Sequence, residues 1–126
     1  TLEGYVSKGD GLSNRTGFKT ANINLLNNQQ LIPGNGVYSV NLLIDQISYM
    51  SICNIGYCPT VKKTSIKSIE VHVIDENISI YNKKVSVEFV SYIRSEIKFD
   101  NVTQLHKQIL NDINSVKNER MINSGR

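Results

Sequence analysis

The residues best placed for phosphate and metal chemistry lie in one stretch, Gly17-Phe18-Lys19-Thr20-Ala21-Asn22, which follows Gly9 and Gly11. In an extended backbone, residues two apart project to the same side, so the Thr20 hydroxyl and the Asn22 amide oxygen point together. Two such oxygens could complete the shell of a Mg²⁺ ion already held by phosphate. The glycines would let backbone N–H groups approach that phosphate. Taken alone, the stretch is more typical of a glycine-rich surface turn before a strand.

A second chemical feature is Glu70, which lies on the polar face of a predicted strand. Ile69, Val71 and Val73 alternate with Glu70 and His72, and this period of two is typical of a strand with one buried face. In most β proteins the polar face is simply solvated. Beside a metal–phosphate site, the Glu70 carboxylate could instead take the proton of an attacking hydroxyl, as a base in phosphoryl transfer does. We interpret His72 as structural.

The composition limits the classes of function. A chain of 126 residues suits one domain with one core, and its net charge is +3. The basic residues are dispersed apart from Lys62, Lys63 and Lys67, which lie in a predicted loop. We therefore expect no nucleic-acid partner, since that function needs a basic face interleaved with aromatic residues. No apolar run reaches the length of a membrane span and no signal-like segment begins the chain. We expect a cytoplasmic protein without a membrane partner.

The two cysteines do not indicate a metal site. Cys53 and Cys58 lie five residues apart, and no second pair completes the four ligands that a structural zinc ion needs. We expect both thiols to be reduced, as in most cytosolic proteins.

Short strands separated by turns dominate the pattern before residue 94. Strands are predicted over 1–8, 21–26, 37–44, 47–55, 69–74, 78–81 and 85–93. The third and fourth form a hairpin across Asp45-Gln46; because this pair is not typical of a two-residue turn, we expect a longer one. The last two form a second hairpin around Asn82-Lys83-Lys84. The strands do not alternate with helices, which favours a small closed antiparallel barrel, because closure removes exposed edges.

The period changes near the C-terminus. Apolar residues recur there at spacings of three and four: Val102, Leu105, Ile109, Ile113 and Val116. This spacing predicts one face of an amphipathic helix over about 101–119, with Asn101 as N-cap and Gln104 completing a capping box. The apolar stripe must cover part of the sheet.

Seven short motifs occur in an order and spacing that match one enzyme family. They are Gly4-x-Val6-x-x-Gly9-x-Gly11, Gly17-Phe18-Lys19-Thr20-Ala21-Asn22-Ile23, Gly36-Val37-Tyr38, Asn54-Ile55-Gly56-x-x-Pro59-Thr60, Ile69-Glu70-Val71-His72, Tyr81 and Ile93-Arg94-x-Glu96-x-Lys98-Phe99. With these motifs the chain resembles riboflavin kinase, in the form of the kinase module at the C-terminal end of bacterial bifunctional FAD synthetases. The resemblance extends from Glu3 to about Lys117.

The resemblance implies both a fold and an activity. The fold is all-β, a six-stranded antiparallel closed β-barrel of Greek-key type with one C-terminal α-helix, as a single domain over 1–126. The activity is transfer of the γ-phosphoryl group of Mg²⁺-ATP to the ribityl 5′-hydroxyl of riboflavin, which gives FMN and ADP. Because the chain begins at Thr1 rather than at methionine, we expect it to come from a longer protein, with an N-terminal FMN adenylyltransferase domain as the candidate partner.

The resemblance also implies roles for individual residues. Thr20 and Asn22 match the Mg²⁺ ligands, and Glu70 matches the catalytic base. The residues expected to bind ATP are Gly9, Gly11, Arg15, Lys19, Val73, Asp75 and Tyr81. The residues expected to bind the flavin are Arg94, Ile97 and Phe99. Phe99 offers an aromatic surface, and Arg94 can stack or donate hydrogen bonds.

The chain departs from the family pattern near the expected phosphates. Lys19 replaces a proline that would fix φ in the metal-binding turn, so loss of the proline could loosen the site. Conversely, the Lys19 ammonium could itself reach a phosphate. Arg15 lies one residue after the usual arginine position. Two hypotheses stay open: an active kinase with weakened ATP affinity, and a flavin-binding regulatory module that has lost turnover. Formation of FMN from riboflavin and Mg²⁺-ATP separates them.

Overall fold

The computed structural model describes residues 1–8, 20–26, 30–57, 67–75, 80–97 and 101–124. These residues contain six strands and one helix: β1 Leu2–Lys8, β2 Ala21–Leu25, β3 Gly36–Ile44, β4 Ile47–Tyr57, β5 Lys67–Val73, β6 Lys84–Arg94 and α1 Val102–Ser124. Across the described ranges, no helix has both the length and the apolar composition needed to cross a bilayer.

The strands close into a barrel in the order β1-β2-β5-β4-β3-β6, and β6 pairs with β1 to complete the circle. Every pairing is antiparallel. β3, β4 and β5 are consecutive neighbours, and β2 returns beside β5, which is a Greek-key arrangement. The predicted closed barrel with one C-terminal helix is therefore confirmed.

Alternation along the strands fills the barrel interior with apolar side chains. Val40 and Leu42 of β3, Cys53 and Ile55 of β4, and Val71 of β5 all lie in this core and are at most 1% exposed. Full burial of each valine, leucine or isoleucine contributes roughly 1.5–3 kcal/mol. The residues between these positions face outward, so the outer face of the same strands is available for other purposes.

The turn between β3 and β4 is shorter than predicted. Ile44 pairs directly with Ile47, which leaves Asp45 and Gln46 alone in the turn. Their φ angles are 50° and 71°, and positive φ at both central residues defines the type I′ turn that suits strand twist. The prediction of a longer turn was wrong because nine residue pairs of the β3–β4 ladder outweigh the cost of two left-handed residues.

The described end of the predicted 78–81 strand is a turn. The Lys83 N–H donates to the Ile80 carbonyl at 3.2 Å, and the Asn82 N–H donates to the Val6 carbonyl at 2.7 Å. Tyr81 lies within this turn. The prediction of a strand was wrong at Ile80 and Tyr81 because the chain turns there, with the Ile80 carbonyl bonded to Lys83 and with Asn82 and Lys83 bonded to Val6 of β1; residues 78 and 79 lie outside the described ranges.

α1 begins as predicted but ends later. The Asn101 side-chain oxygen accepts the Gln104 N–H at 2.9 Å, which confirms the N-cap. The helix continues to Ser124, five residues past the predicted end. Side-chain bonds hold its last turns to the barrel: the Ser91 hydroxyl donates to Glu119 at 2.8 Å, and Arg120 donates to Asn41 Oδ1 at 2.7 Å.

The middle of α1 is joined to the barrel by a largely buried ion pair. Arg94, at the end of β6, donates from Nε and a terminal nitrogen to the two oxygens of Asp112, at 2.9 and 2.8 Å. The Arg94 side chain is 18% exposed and that of Asp112 is 4% exposed. Gln108 also donates to Asp112, at 3.0 Å. Beside this pair, Val116 packs with Val37 and Ile52 in a small second core.

We expect Asp112→Ala to lower the free energy of unfolding by about 3 kcal/mol, because it leaves the Arg94 charge largely buried without its carboxylate. Urea denaturation measures this change. Lys83→Ala is the matched control: it breaks the Lys83–Asp45 pair, whose side chains are 49% and 76% exposed, and should cost less than about 1 kcal/mol. Equal losses in the two variants would contradict a clamping role for Asp112.

Candidate active site

Thr20 and Asn22 lie where β2 begins, on the outer face of the barrel. Ala21 and Ile23 point into the core, so the two polar residues that flank Ala21 point outward. Thr20 is only 6% exposed. The Thr20 hydroxyl oxygen and the Asn22 amide oxygen are both buried, and neither has a hydrogen-bond partner in the described part of the chain. The sequence prediction that these two oxygens lie on one face is consistent with this placement.

Strand register brings Glu70 next to Asn22. Asn22 on β2 lies directly opposite Glu70 on β5, and Glu70 lies directly opposite Asn54 on β4. Residues directly opposite each other in antiparallel strands project to the same face, with Cβ atoms about 5 Å apart. Asn22, Glu70 and Asn54 therefore form a straight row across three strands, which we call the outer row.

Asn54 shares the unusual property of the metal-ligand candidates. Its amide oxygen is buried and has no hydrogen-bond partner within the described ranges. Leaving a buried acceptor unsatisfied costs about 1–3 kcal/mol, so three such oxygens near one carboxylate indicate a site built for a ligand. Neutral hard oxygens beside a carboxylate suit a divalent cation and hydroxyl donors.

The row continues in register to Arg94. Asn54 lies opposite Val37 on β3, and Val37 lies opposite Arg94 on β6. The Arg94 guanidinium is engaged by Asp112 and also donates to the Ser95 carbonyl at 3.0 Å. Flavin binding by Arg94 therefore stays a prediction. The flavin would contact the part of the guanidinium that is still exposed to solvent.

The segment after β6 folds back over β4. The Glu96 carboxylate lies against Gly56, where an added Cβ atom would overlap it. Gly56 is two residues from Asn54, so both belong to the outer face of β4. Glycine at this position is what lets the segment that carries Glu96 and Ile97 approach the strand so closely. Ile97 itself is 49% exposed, which leaves it accessible to a flavin.

Three residues predicted to bind ATP lie elsewhere in the described structure. Val73 packs in the barrel core, on the opposite face of β5 from Glu70, so only its backbone is suited to reach a nucleotide. Asp75 has a φ of 62° and pairs with Lys117 of α1 at 2.9 Å. Tyr81 is 37% exposed. The structure does not join these three to the outer row, and their role in ATP binding stays a prediction.

The remaining predicted site residues lie outside the described ranges. They are Gly9, Gly11, Arg15, Lys19 and Phe99. Cys58 and the predicted loop lysines at 62 and 63 also lie outside the described ranges.

Two residues of the site and its support were not singled out from the sequence. Asn54 belongs to one of the matching motifs, but its place opposite Glu70 depends on a register that one sequence does not reveal. Asp112 carried a signal: with Leu105, Ile109 and Val116 it repeats at spacings of four, three and four, so it belongs to the apolar stripe. A carboxylate in that stripe indicates a buried partner.

Cys53 lies beneath the outer row, on the inner face of β4. Burial, together with the nearby charge of Glu70, raises the pKa of the Cys53 thiol to about 12. The thiol is thus neutral at any physiological pH, and it is not bonded to another cysteine. Because the thiolate is the reactive form, Cys53 is an inert core residue rather than a nucleophile.

Fold and site together define a class: a six-stranded Greek-key barrel that carries a row of buried polar groups on its outer face. The family model described as flavokinase, or riboflavin kinase, matches residues 1–119. The chain belongs to the riboflavin kinase family, whose members are enzymes that phosphorylate riboflavin.

Two relatives agree with this assignment by name, and one solved structure agrees with it in fold. The chain is 39% identical over 113 residues to the bifunctional riboflavin kinase/FMN adenylyltransferase of Bacillus subtilis, a match that covers 88% of this chain and 35% of the relative. The protein of the same name from Listeria monocytogenes is 35% identical over 112 residues, covering 89% and 35%. A crystal structure described as a macrolide-efflux protein from Streptococcus pneumoniae aligns with a TM-score of 0.84 at 32% identity, over 93% of this chain and 38% of that one. The chain thus spans about a third of these proteins.

We expect Thr20→Val to stabilise the ligand-free chain by about 1 kcal/mol, since a methyl group of similar shape replaces a buried hydroxyl that has no partner among the described residues. Thermal unfolding measures this change. Val and Thr are close in size, so a large packing effect is not expected. Ser51→Ala is the control: the Ser51 hydroxyl donates to the Tyr49 carbonyl at 3.1 Å, so its removal should destabilise. A Thr20→Val chain that melts below the parent would show that the hydroxyl is satisfied in solution.

Cys53 gives a second test of the site. We expect it to react with iodoacetamide at pH 9 only as fast as the chain unfolds, because its pKa of about 12 keeps the native thiol protonated. The thiol of the unfolded chain has the ordinary pKa of 9.0, and that of the native chain has a pKa of about 12. At a pH between these two values, the unfolded chain loses the thiol proton and the native chain keeps it. The contribution to stability is therefore complete below pH 9 and falls as the pH rises. Mass spectrometry of the Cys53 peptide measures labelling; rapid labelling of folded protein would contradict the burial.

Proposed function

We propose that this chain transfers the γ-phosphoryl group of ATP to the 5′-hydroxyl of the ribityl chain of riboflavin, with Glu70 as the catalytic base. The observation that carries the proposal is that Glu70 lies directly opposite Asn22, whose buried amide oxygen, like the nearby Thr20 hydroxyl, has no hydrogen-bond partner among the described residues. Membership of the riboflavin kinase family supplies the reaction class.

The residues near the start of β2 fit a divalent metal. The hydroxyl oxygen of Thr20 and the amide oxygen of Asn22 are hard neutral metal ligands that have no hydrogen-bond partner within the described ranges, and these two residues would hold Mg²⁺. Few protein ligands are needed when phosphate oxygens supply others. The chemistry that Mg²⁺ supplies when bound is neutralisation of the phosphate charge and polarisation of the γ-phosphoryl group.

Glu70 acts on the substrate hydroxyl. Its carboxylate accepts the proton of the ribityl 5′-hydroxyl while that oxygen forms a bond to the γ-phosphorus. The bond between the γ-phosphorus and the oxygen that bridges to the β-phosphorus breaks, and ADP leaves. Because Asn22 is directly opposite Glu70, the base and the metal side of the site are one strand apart, about 5 Å. This spacing suits a hydroxyl and a phosphate placed side by side for in-line attack.

The flavin ring would lie toward β6. Arg94 is the last residue of β6, and Ile97 lies three residues beyond it. Between them, the Glu96 carboxylate contacts β4 at Gly56. The ring would therefore approach the outer row from the side opposite to Thr20. Since the chain spans about 35% of its bifunctional relatives, we also propose that the full-length protein includes an FMN adenylyltransferase domain, which would use the FMN made here.

We expect Glu70→Gln to reduce kcat for FMN formation by 10²- to 10⁴-fold, the usual contribution of a general base, with riboflavin affinity within about threefold of the parent. Glutamine keeps the size of the side chain but does not accept the proton. Chromatography of FMN formed from riboflavin and Mg²⁺-ATP measures the rate. The control is Glu88→Gln on β6, where the carboxylate is exposed and accepts from Asn41 at 2.9 Å. Parental turnover in Glu70→Gln would refute the base, and a parent chain that binds riboflavin without making FMN would favour the regulatory module.

A further inference from the structure

Asn54 is the member of the outer row to which the phosphoryl-transfer chemistry assigns no task. Its amide oxygen is buried and unpartnered among the described residues, although it lies on a regular strand with Ile52 and Ile55 packed on either side. A satisfied or apolar side chain would be more stable there by about 1–3 kcal/mol. A ligand that donates a hydrogen bond to this oxygen would account for its placement.

Strand register places Asn54 on the other side of Glu70 from Asn22. Asn22 and Asn54 both pair with Glu70 from opposite sides, which separates their Cα atoms by roughly 10 Å, the sum of two antiparallel pair distances. Glu70 also occupies the space between them. Asn54 therefore faces the acceptor side of the base, and Asn22 faces the phosphate side.

The acceptor side is bounded by the segment that follows β6. Glu96 lies against Gly56, two residues from Asn54 on the same face, and Arg94 is in register with Asn54 through Val37. Asn54 thus lies between the base that takes the 5′-hydroxyl proton and the segment expected to hold the flavin ring. A ribityl chain joined to that ring must cross this interval to present its terminal hydroxyl to Glu70.

The chemistry of the Asn54 oxygen selects the same part of the substrate. An amide oxygen accepts hydrogen bonds and donates none, so it favours O–H donors and disfavours phosphate oxygens. We propose that Asn54 binds the ribityl chain of riboflavin, with its Oδ1 accepting a hydrogen bond from a secondary hydroxyl of the polyol. This inference rests on the proposed function, because it takes riboflavin to be the substrate. In this role Asn54 is a specificity residue for flavins that carry a polyol chain.

The test compares riboflavin with lumiflavin, which has the same ring and no ribityl chain. Dissociation constants are measured by flavin fluorescence with the whole chain, in Mg²⁺ and ADP, so that no turnover occurs. We expect Asn54→Leu to weaken riboflavin binding about tenfold, the loss of one hydrogen bond to a buried partner, and to leave lumiflavin binding unchanged. Its thermal stability should equal or exceed that of the parent, since the unsatisfied oxygen is gone.

Asn24→Leu is the matched control, because Asn24 is an exposed asparagine on β2 that donates to the Ser7 hydroxyl at 2.9 Å and is outside the row. It should leave both affinities unchanged. Asn54→Ala repeats the measurement if the leucine variant does not fold. Equal loss for the two flavins, or no loss for riboflavin, would overturn the proposal. FMN formation by the parent chain is measured in a separate experiment, and its absence would refute the kinase function. The ratio of the riboflavin and lumiflavin dissociation constants would still test the role of Asn54.

Discussion

The site depends on the hydrogen-bond register that β5 makes with β2 on one side and with β4 on the other. Glu70 is opposite Asn22 in the first ladder and opposite Asn54 in the second. A slip of one residue in either ladder would turn one member of the outer row into the core and bring an apolar side chain out. The barrel core therefore fixes the site: Val71 and Cys53, each next in sequence to a member of the row, are at most 1% exposed and tolerate one register only.

The outer face of the barrel is divided between two tasks. On β3 and β4, Val37 and Ile52 are covered by α1 and form the small second core with Val116. One outward position further along β4, Asn54 begins the polar row. The Arg94–Asp112 pair lies close to both, since Arg94 is in register with Val37, which pairs with Asn54. The helix thus stabilises β3, β4 and β6, and β4 carries one member of the row. Its long extension to Ser124 is explained by the bonds of Glu119 and Arg120 to β6 and β3.

Sequence patterns predicted the barrel, the helix N-cap and the shared face of Thr20 and Asn22 because each depends on local chemistry or on the period of the backbone. The side-by-side placement of Asn22, Glu70 and Asn54 depends on which strands are neighbours. The Greek-key pairing of β2 with β5 joins strands that are distant in sequence, so no local sequence pattern predicts it. The same reason explains the failure at Ile80 and Tyr81: an apolar run predicts burial, but it does not distinguish a strand from a turn. Asp112 could have been found, since a carboxylate in an apolar helical stripe needs a partner.

The three buried oxygens that have no partner within the described ranges also bear on the role of the contacts between α1 and the barrel. At about 1–3 kcal/mol each, Thr20, Asn22 and Asn54 together cost an amount comparable to much of the 5–15 kcal/mol that holds a domain folded. Apolar residues at these positions would remove that cost and leave a more stable, empty barrel. Their retention is understandable if substrates satisfy the oxygens in the loaded state, because binding to the native state alone adds its free energy to stability. The ligand-free chain must then be held by contacts that do not involve these three oxygens, and the ion pair and serine bonds of α1 are of that kind.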